Sequence, residues 1–323
     1  MRKGNRFQFV LAYATFVTWQ PSAASLNAVL SNGYPVYHRG NFLANYNETA
    51  MSYRVIALDL DGTLLDNQKR ILPQSLAALE EARAAGVKVV VVTGRHHVAI
   101  HPFYQALQID TPAICCNGTY LYDFQQKKVL ASDPLAKEQA KQVLQLLKQN
   151  DIHGLMYVDD AMLYQETSGH VIRSLAWSET LPVAQRPTLL QVNSLMQAAD
   201  EAQAIWKFAT SHSDLPALRS FAEMVEKELG LACEWSWHDQ VDIAKGGNSK
   251  GKRLQQWVES QGLSMDQVVA FGDNYNDLSM LEAVGLGVAM GNADNAIKER
   301  ADLVIADHLQ PGIAEVIRSR VLN

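Results

Sequence analysis

The sequence has little of the chemistry that marks secreted, membrane-bound or nucleic-acid-binding proteins. It contains three cysteines in 323 residues, and two of them, Cys115 and Cys116, are adjacent. That is not a disulfide framework, so a reducing, cytoplasmic setting is expected. Acidic residues outnumber basic ones by 34 to 28, and the net charge of −6 argues against general binding to nucleic acid or anionic membranes. No run reaches the ~18 apolar residues of a membrane span.

The first 50 residues differ in composition from the rest of the chain. They carry four basic residues and one acidic residue, whereas the remainder carries 24 basic and 33 acidic residues. Arg2, Lys3 and Arg6 precede a moderately apolar stretch and then small residues, which is a weak secretory-signal pattern. We predict instead that residues 1–50 are an extension upstream of the folded part, which begins near Met51.

From Arg54 onward, short apolar runs alternate with amphipathic stretches. A buried parallel strand reads as a continuous apolar run, whereas a helix buries every third or fourth residue. Runs of the first kind occur at 55–58, 89–92, 113–116, 268–271, 287–290 and 303–305. Helical patterns follow, one opening at Pro73 and another near Lys250. This rhythm predicts a doubly wound, Rossmann-like α/β sheet with right-handed crossovers.

The middle of the chain has a different pattern. Two apolar runs, 155–158 and 161–164, flank Asp159 and Asp160 like the strands of a hairpin. Further strands are predicted at 205–209 and 233–237, with a helix at 218–229 that ends at Gly230. Mixed hairpins and helices predict an inserted α+β module. We therefore expect a catalytic core of residues 51–132 and 240–323, and an inserted cap of residues 133–239.

Polar residues follow four of the predicted core strands directly. They are Asp59 and Asp61, then Thr93, Gly94 and Arg95, then Asn117, and finally Asp273, Asn276 and Asp277. In an open α/β sheet, ligands bind beyond the carboxyl ends of the strands, so these loops should converge on one crevice. Clustered, buried acids repel one another and require a cation, and hard oxygen ligands suit Mg²⁺. A carboxylate there can also attack phosphorus as a nucleophile.

These residues resemble the four signatures of the haloacid dehalogenase-like phosphatases. Asp59-Leu60-Asp61-Gly62-Thr63 matches the first signature, Thr93 the second, Lys250 the third, and the stretch 272–277 the fourth. All four occur in order from about Met51 to the end of the chain. The long insert between the second and third resembles the type-2 cap of the Cof-type branch. Residues 1–50 have no counterpart in the family pattern.

The resemblance implies a role for each matching residue. Asp59 is expected to be the nucleophile and Asp61 the acid/base. Thr93, Gly94 and Lys250 are expected to bind phosphate. The implied Mg²⁺ ligands are Asp59, the backbone carbonyl of Asp61, and Asp273, with Asn276 and Asp277 supporting them.

The resemblance also implies a substrate class, namely small phosphomonoesters. Residues 96–107 and 234–245 are especially similar to Cof-type phosphatases that act on pyridoxal phosphate, so this substrate is favoured. Sugar phosphates such as fructose 1,6-bisphosphate come next. Two other functions remain open at this point. A phosphomutase uses the same phospho-aspartate, and a signalling module carries one without turnover. A dehalogenase is disfavoured because it needs no counterpart of Asp61.

Weaker patterns give candidates on the substrate side. Arg95, Asn117, Lys207 and His238 could contact substrate, although Lys207 could equally lie on a solvated sheet face. Trp235 and Trp237 could stack on a flat ring or belong to the cap core. A final cluster consists of His96, His97 and His101, which we expect at the surface or the substrate rim rather than at a second metal.

Overall fold

The structure, a computed structural model, describes residues 53–323. In this range the apolar runs and amphipathic stretches form fourteen strands and ten α-helices. The predictions for residues 1–50 lie outside this range. The strands are β1 (Val55–Leu58), β2 (Lys88–Val91), β3 (Ala113–Cys115), β4 (Tyr120–Asp123), β5 (Lys128–Ser132), β6 (His153–Val158), β7 (Ala161–Tyr164), β8 (Leu189–Gln191), β9 (Ile205–Ser211), β10 (Ala232–Trp237), β11 (Gln240–Ala244), β12 (Val268–Gly272), β13 (Leu286–Ala289) and β14 (Leu303–Val304).

The helices alternate with these strands along the chain. They are α1 (Pro73–Ala84), α2 (His101–Leu107), α3 (Lys137–Gln149), α4 (Gly169–Glu179), α5 (Leu195–Glu201), α6 (Leu215–Leu229), α7 (Lys250–Ser260), α8 (Leu278–Leu281), α9 (Asn295–Lys298) and α10 (Gly312–Val316). Among these helices, none is long and apolar enough to cross a membrane.

The first sheet is parallel and has the strand order β14-β13-β12-β1-β2. Successive side chains of a strand point to opposite faces. Ile56 and Leu58 accordingly pack into one apolar cluster with α1 and α10, whereas Val55 and Ala57 pack into another with α7 and α8. Helices therefore cover both faces, which confirms the predicted doubly wound α/β core.

An antiparallel sheet of order β3-β4-β5 extends this core beyond β2. A single parallel bridge between Val92 and Ile114 connects it to the end of β2. The sequence patterns predict β3 but neither β4 nor β5. The additional hairpin supports the loop that carries Asn117, which lies between β3 and β4.

The inserted segment forms a separate six-stranded sheet of order β10-β11-β9-β6-β7-β8. The predicted hairpin is present, since β6 and β7 pair around Asp159 and Asp160. The predicted boundary at which the chain returns to the core, residue 240, lies several residues before the observed one. Strand β11 pairs with both β9 and β10, so residues 240–244 continue the inserted sheet.

The two faces of the inserted sheet have different neighbours. Side chains such as Phe208 and Val241 pack with α3, α5 and α6 in a cluster confined to the insert. On the opposite face, Leu155, Tyr157 and Ala209 join the cluster that also contains core residues of β1. The second face of the insert therefore lies against the core, above the carboxyl ends of its strands.

Candidate active site

Strand ends of the first sheet bring the predicted motifs together. The Asp59 N–H donates to the Phe271 carbonyl at 3.1 Å, which fixes the end of β1 beside the end of β12. The Thr93 N–H donates to the Ile114 carbonyl at 2.8 Å, and the Asn117 N–H to the Thr93 carbonyl at 3.0 Å. The loops after β1, β2, β3 and β12 therefore border one crevice, as the sequence predicts.

Lys250 connects two of the motifs through its ammonium group. Its Nζ lies 2.6 Å from Asp59 Oδ1 and 2.6 Å from Asp277 Oδ1. The Lys250 side chain is fully buried. Burial alone lowers the pKa of Lys250, but Asp277 and Asp59 outweigh it and raise the pKa above its ordinary value.

Asp277 organises the loop after β12. Its Oδ2 accepts hydrogen bonds from the N–H groups of Asp273 and Asn274, each at 3.0 Å. Asp277 is thus the third residue of a capping box whose N-cap is Asn274, and it also contacts Lys250.

Asp273 is held from the opposite side by the turn after β1. Thr63 Oγ1 donates to Asp273 Oδ1 at 2.9 Å, and Asn292 Nδ2 lies 3.4 Å from Asp273 Oδ2. Gly62 has a φ of +81° and passes so close to Asp273 that a Cβ at this position would clash with its carboxylate. Glycine is therefore required at Gly62 by both backbone conformation and space.

Three acids are arranged so that they could hold a metal ion. Oxygen atoms of Asp59, Asp273 and Asp277 all lie within 4.8 Å of one another. Burial, then Asp59 and Asp277, raises the pKa of Asp273 well above its ordinary value, which shows how poorly this cluster tolerates its own negative charge. An all-oxygen donor set of this kind fits a hard divalent cation such as Mg²⁺.

The three acids are not equally available to a metal. Both oxygens of Asp277 are already engaged, by Lys250 and by backbone N–H groups. Asp59 has one oxygen paired with Lys250. Burial and the neighbouring Asp277 raise the pKa of Asp59 to about 7, although Lys250 lowers it. A cation beside Asp59 and Asp273 would favour the ionised form of both.

The Asp61 side chain turns away from the other acids. Arg95 Nε lies 2.5 Å from Asp61 Oδ2 and Arg95 Nη2 lies 2.7 Å from Oδ1, while Lys69 Nζ approaches Oδ1 to 2.6 Å. Burial raises the pKa of Asp61, but Arg95 and Lys69 outweigh it and hold the pKa well below the ordinary value. Asp61 is therefore a carboxylate in this arrangement, and Arg95 contacts it directly.

The Arg95 guanidinium is covered by two aromatic rings. Its central carbon lies 4.6 Å from the ring centre of Trp177, on α4 of the insert, and 5.3 Å from that of Phe103, on α2 of the core. Stacking of this kind is favourable for a guanidinium. The insert therefore closes over the Asp61–Arg95 pair.

A second polar network descends from the insert to the core. Lys207 Nζ lies 2.5 Å from Asp242 Oδ2 and 4.7 Å from the ring centre of Tyr157. Asn117 Nδ2 donates to the same Asp242 oxygen at 3.3 Å, and Asn276 Nδ2 donates to Asn117 Oδ1 at 3.1 Å. Lys207 is buried, so the alternative of a solvated sheet face is wrong, and its ammonium group is paired with Asp242.

Other predicted residues occupy varied positions. Thr93 is buried, and its Oγ1 accepts a hydrogen bond from the Arg95 N–H at 3.1 Å. Gly94 lies against Asn117, where a Cβ would stand 2.8 Å from Oδ1. His238 is exposed beside Trp237 at the turn between β10 and β11. Trp235 packs against the apolar cluster of the insert, which confirms the cap-core alternative for that residue.

The histidine cluster is not at the surface. His96 and His97 are buried, because their rings fill the contact between the core and the β6–β7 hairpin. His96 Nε2 lies 2.8 Å from the Val158 carbonyl, and His97 Nε2 lies 3.0 Å from Asp160 Oδ1. The prediction of surface or rim histidines is therefore wrong for these two residues.

Several site residues were not singled out from the sequence. They are Lys69, Tyr157, Trp177, Glu234, Asp242 and Asn292. Most of them come from the insert, and none stands in a spacing pattern that marks it. Only the likeness of residues 234–245 to the family directs attention to Glu234 and Asp242.

Comparison with known proteins identifies the family. The pattern of the haloacid dehalogenase-like hydrolases matches residues 56–317. The chain is also 62% identical over 272 residues to the Escherichia coli pyridoxal phosphate phosphatase YbhA, covering 84% of this chain and 100% of that protein. The chain belongs to the haloacid dehalogenase-like hydrolases. It is a phosphoric monoester hydrolase of the Cof-type branch of this family.

More distant haloacid dehalogenase-like proteins match nearly the same share of the chain. The Bacillus subtilis 5-amino-6-(5-phospho-D-ribitylamino)uracil phosphatase YitU is 29% identical over 271 residues, covering 82% of this chain and 96% of that protein. A haloacid dehalogenase-like hydrolase structure from B. subtilis superposes with a TM-score of 0.72 at 25% identity, covering 82% of this chain and 99% of that one. The family pattern, at residues 56–317, includes the whole insert.

Proposed function

We propose that this hydrolase is a Mg²⁺-dependent pyridoxal phosphate phosphatase that acts through a phospho-aspartate on Asp59. The observation that carries the proposal is the buried group of Asp59, Asp273, Asp277 and Lys250 at the carboxyl ends of β1 and β12. It combines a carboxylate nucleophile, two further acids and a cation, which are the groups that phosphoryl transfer requires.

The first half of the reaction is attack by an Asp59 carboxylate oxygen on phosphorus. A bond forms between that oxygen and phosphorus, and the bond from phosphorus to the ester oxygen breaks. Asp61 first takes up a proton from solvent, once Arg95 and Lys69 have left it, and then gives that proton to the departing oxygen. Arg95 and Lys69 hold Asp61 as a carboxylate without substrate, so this step requires that they move from Asp61 towards the phosphoryl oxygens.

The second half is hydrolysis of the phospho-aspartate. Asp61, again a carboxylate, accepts a proton from a water molecule that attacks phosphorus. The bond between phosphorus and the Asp59 oxygen breaks, and inorganic phosphate leaves. Lys250 stays within hydrogen-bond distance of Asp59 and compensates its returning negative charge. Thr93 and Gly94 stand beside this centre, and we propose that they bind the phosphoryl oxygens.

We propose that Asp59, the backbone carbonyl of Asp61, and Asp273 hold the metal. Bound Mg²⁺ would supply positive charge that offsets the phosphoryl oxygens. Asp277 and Asn276 act as supports, because Asp277 ties Lys250 to the loop of Asp273 and Asn276 contacts Asn117.

The choice of substrate rests on the relative at 62% identity, whose name specifies pyridoxal phosphate. We propose that the insert, residues 133–244, is a cap that selects the leaving group, and that residues 53–132 and 245–323 form the catalytic core. Arg95, Asn117 and Lys207 are candidate contacts of the leaving group. The three cysteines are free, which supports a cytoplasmic setting.

The test is phosphate release from a panel of small phosphomonoesters. The protein starting at Met51 is assayed with pyridoxal phosphate, hexose monophosphates and fructose 1,6-bisphosphate, with and without Mg²⁺, beside Asp59→Asn. We expect Mg²⁺-dependent release that is highest with pyridoxal phosphate and absent in the variant. Isomerised phosphate ester without released phosphate would indicate a mutase, and no release from any compound would refute the proposal.

A further inference from the structure

Strands β10 and β11 carry two acids side by side above the active site. Glu234 and Asp242 are direct cross-strand partners in the antiparallel pair. Their neighbours along the strands, Cys233 and Ile243, pack into the apolar cluster of the insert. Because side chains alternate along a strand, Glu234 and Asp242 share the opposite face, which lies over the core.

Asp242 is fully provided with partners. One oxygen accepts from Lys207 and Asn117, and the other accepts from Gln240 Nε2 at 3.2 Å. Glu234 differs sharply from it, because its carboxylate accepts no hydrogen bond and forms no ion pair with any residue in the range 53–323. Like charges opposite each other on a sheet are destabilising unless one of them is compensated.

The surroundings of Glu234 place it at the edge of the catalytic centre. It lines a small cavity together with Cys116, Asn117 and Asp242. The charged groups that act on it are Asp242, Lys250, Lys207 and Asp277. Its own strand contacts the loop of the fourth signature, where Asn274 Nδ2 lies 3.5 Å from the Ser236 carbonyl.

The cations near Glu234 are already committed to other acids. Lys207 is paired with Asp242, and Lys250 with Asp59 and Asp277. Lys245, two residues beyond Ile243, pairs with Asp133. Burial, then Asp242, raises the pKa of Glu234 to about 7, so a ligand that brings a hydrogen-bond donor would be stabilised there.

We propose that Glu234 is a specificity-determining residue that accepts a hydrogen bond from the leaving group of the substrate. The chemical class that it selects is a phosphomonoester whose leaving group carries a hydroxyl or a protonated ring nitrogen. This proposal rests on the phosphatase function proposed above. An ester without such a donor gains nothing from Glu234, and it leaves the Glu234 carboxylate without a partner.

The test measures binding rather than turnover, so that it is independent of the identity of the nucleophile. The background is Asp59→Asn with Mg²⁺ present, and the added substitutions are Glu234→Ala and Glu234→Gln. Glu228→Ala, at an exposed position on α6, is the matched control. Dissociation constants are measured by calorimetry for pyridoxal phosphate, whose protonated ring nitrogen is a donor, and for phenyl phosphate, whose leaving group has none.

We expect Glu234→Ala to weaken pyridoxal phosphate binding about 10- to 100-fold, as for a hydrogen bond to a charged group. The dissociation constant for phenyl phosphate should change by less than about twofold, and Glu228→Ala should leave the binding of both ligands unchanged. Glu234→Gln keeps the volume and one acceptor oxygen, so it should give a smaller loss, and it serves as the test if the alanine variant does not fold. Equal weakening of both ligands, or unchanged binding of both, would overturn the proposal.

Together with the phosphate-release assay described above, these binding measurements separate this proposal from the proposed function. Wild-type protein that binds pyridoxal phosphate through Glu234 but releases no phosphate would contradict the phosphatase function alone. Mg²⁺-dependent release with no discrimination by Glu234 would contradict the specificity role alone.

Discussion

At the scale of single residues, the site is organised by compensation of buried charge. Lys250 lies between Asp59 and Asp277 with both contacts at 2.6 Å, and Asp273 lies nearby with no ion pair to any residue within 53–323. Breaking a buried pair by removing one partner is costly because it leaves an uncompensated charge. Lys250 therefore serves both the fold and the chemistry.

Substitution Lys250→Met tests this double role, since methionine keeps most of the volume and removes the charge. We expect kcat/KM to fall about 10²- to 10³-fold, as when one preorganised electrostatic contact is lost. The free energy of unfolding should fall by about 3–5 kcal/mol. Steady-state kinetics and urea titration measure the two effects. Lys252→Met, an exposed position on α7, should change neither, and wild-type kinetics in Lys250→Met would refute the role.

At the scale of secondary-structure elements, the turn after β1 sets the distance between the first and fourth motifs. Gly62 adopts a positive φ and lies against the Asp273 carboxylate, and its carbonyl accepts from Asn292 Nδ2 at 2.9 Å. The motif Asp59-Leu60-Asp61-Gly62-Thr63 thus includes a residue that lets the ends of β1 and β12 approach each other.

A pair of glycine substitutions separates backbone conformation from this close approach. Gly62→Ala and Gly86→Ala both place alanine at positive φ, but only Gly62 lacks space for a Cβ. Both variants should lose about 1–2 kcal/mol of unfolding free energy. Gly62→Ala alone should also weaken Mg²⁺ binding about 10- to 100-fold, since the added Cβ displaces Asp273. Titration of activity against Mg²⁺ checks this, and equal Mg²⁺ dependence in the two variants would contradict it.

At the scale of the whole molecule, core and insert meet through buried, neutral histidines. His96 contacts the Val158 carbonyl, and His97 contacts Asp160 while it stacks on Tyr122 at 3.8 Å. Burial lowers the pKa of His97 from 6.5 to about 4, although Asp160 opposes it. The unfolded chain therefore binds a proton at higher pH than the folded chain does. Stability is fully present above pH 6.5 and is lost as the pH falls towards 4.

This linkage predicts a measurable pH dependence. Between pH 7 and pH 4.5, the wild type should lose about 2–3 kcal/mol more unfolding free energy than His97→Gln does. Urea titrations at the two pH values give the difference. His238→Gln, at an exposed position, should behave as the wild type. An equal pH dependence for wild type and His97→Gln would show that folding does not shift the pKa of His97, which would contradict this account.

The sequence predicts the core of the molecule better than the insert, for a physical reason. Asp59, Thr93, Asn117 and Asp273 each follow a buried strand, and parallel strands place their carboxyl ends together. The partners Lys207 and Asp242, or Arg95 and Trp177, meet only after the insert has folded and closed on the core. Their contacts depend on sheet register and on that closure, neither of which has a pattern in the sequence.

The measurement that tests the central claim most directly is detection of the covalent intermediate. Wild-type protein is mixed with pyridoxal phosphate and Mg²⁺, quenched in acid within one turnover, digested and analysed by mass spectrometry. We predict that the peptide carrying Asp59 gains the mass of one phosphoryl group, and that Asp59→Asn gains none. Turnover without this label, or with the label on another residue, would contradict the assignment of Asp59 as the nucleophile.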